Sequence, residues 1–163
     1  MKIGEIAIIT HNSQNSENFI KSICKNLDVN NGIVSFGHFE ANDELGLHFY
    51  GFNLEKEERS LSWDLIIRKM IGYIFIFDWE DQISFETIRP ILDRLTVSVV
   101  APIVVVANFQ KLAKPPLPHV FYIDSGIHLS ANCRFTYGQV NQQYSAKKIM
   151  VLLIDMLLQQ AST

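Results

Sequence analysis

The chain has 163 residues, 48% of them hydrophobic and 19% charged, with a formal net charge of −3. That size and composition fit one domain with a sizeable core and exclude a disordered chain. The acidic balance gives no electrostatic reason to expect nucleic acid, because phosphate binding needs a basic surface. The opening MKIGEIAIIT turns polar too quickly for a signal peptide, and the apolar run at 149–158 is interrupted by Asp155 and too short to span a bilayer. The expectation is a single domain over residues 1–163, cytoplasmic and without membrane insertion.

Strand-like and helix-like segments alternate along the chain, the pattern of an α/β sheet with crossover helices. IAIIT at 6–10 predicts a buried strand. A polar stretch follows, and residues 19–27 place Phe19, Ile20, Ile23, Cys24 and Leu27 at helical spacing. IVSFGHFE and LGLHFYGF flank the turn AND and predict a hairpin. A three-residue turn pairs Glu40 with Glu44 and Phe39 with Leu45. That register puts Phe39, Leu45, Leu47 and Phe49 on one face and His38, Glu40, His48 and Tyr50 on the other. The hairpin strand at 33–40 is expected at a sheet edge, where Phe36, His48 and Tyr50 would offer an outer face to a partner.

SLSWDLIIRKM predicts a helix. IGYIFIFD at 71–78 is a nearly continuous apolar strand, typical of a parallel sheet covered on both faces. SFETIRPILDRL predicts a helix in which Pro90 marks a kink or a late start. APIVVVAN predicts a second fully buried strand, KLAKPPLPHV a proline-rich loop, VFYID a short strand, and residues 144–160 the closing helix. That last helix is apolar around most of its circumference, so either the fold buries both sides or one side meets a partner.

This order and its local words resemble a Ras-like small G domain, in particular the bacterial branch of MglA-type polarity G proteins and the G proteins of actinobacterial conservons. The likeness covers nearly the whole chain. The hairpin of that branch reads roughly DFGRI…DLxLYLFG, against SFGHFEANDELGLHFYG here; its TPGQERF…WD, helix and G…VVD run parallels 52–78. PIVVVAN at 102–108 matches the strand before its guanine-reading motif. The resemblance implies a three-layer, P-loop-NTPase-like (Ras-like) G-domain fold with about six strands, mostly parallel, and one antiparallel hairpin strand. An unrelated flavodoxin-like fold with an ordinary polar loop after the first strand is the alternative.

The positions that carry nucleotide chemistry in such a domain depart from the pattern. A phosphate loop needs G-x-x-x-x-G-K-[ST]: glycines to let backbone N–H groups converge, a lysine for charge, and a hydroxyl for Mg²⁺. Here His11 and either Gln14 or Ser16 stand at the glycines, and the lysine position falls on Ser16 or Glu17. With Glu17 there, an attraction becomes a repulsion, and unit charges about 4 Å apart interact by roughly 4 kcal/mol at an intermediate dielectric. Leu54 stands at the γ-phosphate-sensing glycine, Glu55 at the water-orienting glutamine, and Lys111 at the guanine-accepting aspartate of NKxD. Asn108 survives, and Ser130, Ala131 and Asn132 match the SAK-type base-contacting turn; these are the vestigial nucleotide candidates.

The resemblance therefore implies a pseudo-GTPase with no catalytic residues, no cofactor and no metal, acting as a protein-interaction module. Its partner would be a Roadblock/longin-type dimer or a motility, polarity or pilus component. Phe36, His38, Phe52, Leu54, Arg59 and Trp63 are the expected docking residues, on the grounds that aromatic and arginine side chains dominate such surfaces. The competing reading is an atypical G protein that still holds a guanine nucleotide through Asn108 and residues 130–132, with little or no hydrolysis. The five histidines have no metal-motif spacing, and Cys24 reads as a small buried thiol.

Overall fold

A computed structural model of the protein describes residues 1–24, 26–30, 34–54, 69–109 and 131–162. The elements are β1 (Lys2–Thr10), α1 (Ser13–Ile23), β2 (Leu27–Asn30), β3 (Val34–Glu40), β4 (Leu45–Asn53), β5 (Gly72–Asp78), α2 (Gln82–Ser98), β6 (Ile103–Asn108), β7 (Cys133–Gly138) and α3 (Gln143–Ala161). The described strands make one seven-stranded sheet in the order β2-β3-β4-β1-β5-β6-β7. β4, β1, β5, β6 and β7 are mutually parallel, and β3 runs antiparallel between β2 and β4. The architecture is thus the expected α/β, mostly parallel sheet with an antiparallel end.

Strict side-chain alternation splits the core into two layers. Ala7, Ile9, Tyr73, Phe75, Phe77 and Val105 face α2 through Ile88 and Leu92. Ile6, Ile8, Ile74, Ile76, Val104 and Val106 face the opposite way, against α1 and α3. The runs at 71–78 and 102–108 sit in the sheet interior, as their continuous hydrophobicity requires.

Several local expectations give way. α1 begins at Ser13 rather than Phe19, because the Asn12 side chain caps it by accepting the Asn15 amide at 3.1 Å. It ends at Ile23, and Leu27 opens a strand instead of closing a helix. That extra strand covers β3, so the hairpin strand is interior and not an edge. The hairpin pairs Glu40 with Gly46 and Phe39 with Leu47, two residues out from the expected register. Asn42 Oδ1 accepts the amides of Glu44 and Leu45, both at 2.8 Å, and this holds a wider turn. A shift of two preserves parity, so His38, Glu40, His48 and Tyr50 still share a face. α2 passes through Pro90, where the residue and its i−4 neighbour Glu86 are both exposed and water can take the orphaned carbonyl. The strand beside β6 is Cys133–Gly138; the expected strand at 120–124 and helix at 60–70 lie wholly or mostly outside the described residues. α3 buries Ala146, Ile149, Met150, Leu153 and Met156, leaving Tyr144, Val151 and Leu158 as its large exposed hydrophobic side chains.

α1 lies unusually close to the hairpin. A Cβ at Gly37 would overlap Ile20 Cγ2 and stand 2.9 Å from Cys24 Sγ, and one at Gly51 would overlap Ser35 Oγ and stand 2.8 Å from Ser16 Cβ. Cys24 and Cys133 are free and buried, and burial pushes each thiol up to about 11. Thiol reagents at pH 8 are therefore expected to leave both groups unmodified until the chain unfolds. Stability should also fall as pH rises from about 9 to 11, because the unfolded thiols lose their protons in that window and the folded ones keep them. Time-resolved labelling with and without urea, and denaturation midpoints across that range, check both outcomes.

Candidate functional site

In an open parallel sheet the functional crevice lies beyond the carboxyl ends of the strands. Here that rim is formed by Thr10 of β1, Asn53 and Leu54 at the end of β4, Asp78 of β5, Asn108 of β6 and Gly138 of β7. Only His11 and Asn12 separate β1 from α1. Two residues are too few to form the loop of five or more that wraps a phosphate in a G-x-x-x-x-G-K-[ST] motif.

Side chains of the protein fill the rim. Asn15, on the first turn of α1 and only 5% exposed, donates from Nδ2 to Asp78 Oδ1 at 2.9 Å. Asn108 Nδ2 donates to the same oxygen at 3.0 Å and lies 3.4 Å from Asn15 Oδ1. Asn108 Oδ1 accepts the Val140 amide at 3.1 Å, tying the segment after β7 into the network. The Asp78 amide is held by Ser84 Oγ of α2 at 2.7 Å. One carboxamide from α1 thus links the ends of β5 and β6, and the donors that converge on the rim meet a carboxylate of the protein itself.

Two of the amides at this end of the sheet are used in the same way. The first-turn amide of Asn15 is taken by Asn12 Oδ1. The Leu54 amide, at the position that the resemblance assigns to a γ-sensing glycine, donates to the Thr10 carbonyl at 3.0 Å. The carboxylate of Asp78 further opposes an anion at this end of the sheet.

The residues expected as vestigial base contacts do not come together where they are described. Asn108 pairs with Gly138 at the carboxyl end, whereas Ile103 pairs with Cys133 at the other end and its amide donates to the Asn132 carbonyl at 2.7 Å. Ala131 is exposed beside Asn132, which bonds the carbonyls of Val99 and Ala101, both at 3.0 Å. At about 3.3 Å per residue the two ends are roughly 16–20 Å apart. Ala131 and Asn132 are therefore not partners of Asn108; Ser130 lies outside the described residues. Val140 is the residue the fold brings to Asn108, and nothing local in its apolar side chain signals this.

Among the expected docking residues, Phe36 and His38 are half-buried on the hairpin face, within an aromatic row. Phe36 stands 5.1 Å from the His48 ring and 5.3 Å from Tyr50, and His38 stands 4.9 Å from His48. Tyr50 Oη donates to Glu5 at 3.3 Å. Phe52 is not a surface residue: it leaves the same sheet face as His48 and Tyr50, but at the end of β4 it is 2% exposed and belongs to the core facing α2. Leu54 is half-buried against the same cluster. Arg59, Trp63 and Glu55 lie outside the described residues.

Fold and rim together define an α/β protein with a mostly parallel sheet, compatible with a P-loop-like architecture. No protein-family model matches the chain, and no curated protein sequence matches it. Among the described residues no helix is long and apolar enough to cross a membrane.

Proposed function

We propose that the chain is a pseudo-GTPase domain that works without nucleotide and serves to hold a protein partner. The observation that carries this reading is the closed rim, where Asn15, Asp78 and Asn108 satisfy one another at the place a nucleotide's phosphates would need. The two-residue β1–α1 connection and the engaged Leu54 amide support it. The aromatic row Phe36, His38, His48 and Tyr50 is the surface we assign to the partner, by resemblance a Roadblock/longin-type dimer in a bacterial cytoplasm. Phe52 leaves that surface.

Calorimetric titration with GTP, GDP and ATP in the presence of Mg²⁺ tests the reading. The expected result is no saturable heat and no change in melting temperature at millimolar nucleotide. A ligand at 100 times its Kd would add about 2.7 kcal/mol of stability, so a clear nucleotide-dependent rise overturns the proposal. Phe36→Asp is expected to fold and to lose the partner.

A further inference from the structure

We infer that His38 and His48 form a cross-strand clamp for a divalent transition-metal ion, held ready by Glu40. The two histidines are direct partners in the β3–β4 ladder, so their side chains leave the same face of the sheet side by side. Their ring centres are 4.9 Å apart with planes at 73°. Two imidazoles bound to one tetrahedral ion through bonds of about 2.0–2.1 Å place their ring centres roughly 5 Å apart. The pair therefore already has the separation that a shared ion needs.

The surroundings of the two His38 nitrogens point the same way. Glu40 Oε1 lies 3.6 Å from His38 Nε2, which favours the proton on that nitrogen. The lone pair is then on Nδ1, which is buried and has no hydrogen-bond partner. A carboxylate on one imidazole nitrogen and a metal on the other is the arrangement that fixes a ligating histidine. The Phe36 ring, 5.1 Å from His48, limits where the His48 ring can turn. The His38 side chain as a whole is 35% exposed, so the pair lies at the surface although Nδ1 itself is covered. Among the described residues no three His, Cys, Asp or Glu side chains form a ready-made cage, so the site is a two-nitrogen clamp completed by water, with Glu40 as a positioning residue.

The test titrates the full chain at neutral pH with Zn²⁺ and with Cu²⁺ by calorimetry, and follows the imidazole resonances by NMR. One saturable site is expected, tighter for Cu²⁺ than for Zn²⁺, with Cu²⁺ broadening the His38 and His48 signals first. His38→Asn and His48→Asn, checked for native folding, should each weaken binding at least tenfold; Glu40→Gln should weaken it about tenfold; His11→Asn should leave it unchanged. The resonance experiment needs no variant, so it decides the matter even if a substitution fails to fold. Absence of saturable binding, parental affinity in any of the three hairpin variants, loss of the site in His11→Asn, or first broadening at other histidines overturns the proposal.

Discussion

Phe75→Ala is expected to lower the unfolding free energy by about 3–5 kcal/mol. Phe75 is 0% exposed at the middle of β5, paired with Ile9 on one side and Val105 on the other. Its ring lies in the layer between the sheet and α2, among Tyr73, Phe77, Ile88 and Leu92. Truncation removes the transfer free energy of the ring and leaves a cavity that strands paired on both sides cannot collapse to fill. Domains of this size are stable by only about 5–15 kcal/mol, so the loss is a large part of the total. Urea unfolding followed by tryptophan fluorescence and far-UV dichroism measures it. Val97→Ala is the control: Val97 is 85% exposed on α2, and the change there should stay within about 0.5 kcal/mol. A Phe75→Ala loss as small as the control's would mean that the two-layer core is wrongly drawn.

Asn108→Leu is expected to cost about 2–5 kcal/mol, although the side chains are similar in size. The substitution strands the Val140 amide, on a residue 1% exposed, and removes one of the two amide donors that hold Asp78 Oδ1. A buried donor left unmatched costs about 1–3 kcal/mol, and a charged acceptor that loses a partner costs more than a neutral one. Asn108→Asp separates electrostatics from shape. It sets a second carboxylate against Asp78, and two like charges held that close repel. The variant should therefore be least stable at neutral pH and recover as acid protonates one of the two groups. Denaturant midpoints from pH 3 to 7 read this out. A flat difference between variant and parent across that range would show that Asp78 does not face position 108.

Much of the architecture was legible in the residues themselves. The apolar runs that became β1, β5 and β6 demanded burial on both faces. The spacing from Ile149 to Leu157 fitted α3. The alternation in the hairpin placed His38 and His48 on one face, and that assignment survived a register error because a shift of two residues leaves parity unchanged. These features depend on periodicity, which a segment carries within itself.

The tertiary structure decided what periodicity cannot. Phe52 is buried in the core and leaves the expected docking surface although it shares a sheet face with His48 and Tyr50, because periodicity does not say how far along a strand the covering layer reaches. Leu27–Asn30 became a strand because β3 offered it an unpaired edge. Ala131 and Asn132 matched a base-contacting motif in their letters but precede β7, at the end of the sheet away from Asn108. The rim network is the clearest case: Asn15, Asp78 and Asn108 are separated by 63 and 30 residues, and each looks locally like a cap or a strand end. They meet because β1, β5 and β6 are adjacent and parallel, which brings their carboxyl ends to one edge. A side chain's local preference is set by its neighbours in the chain, whereas its hydrogen-bond partner is set by strand order, and strand order exists only once the sheet has formed.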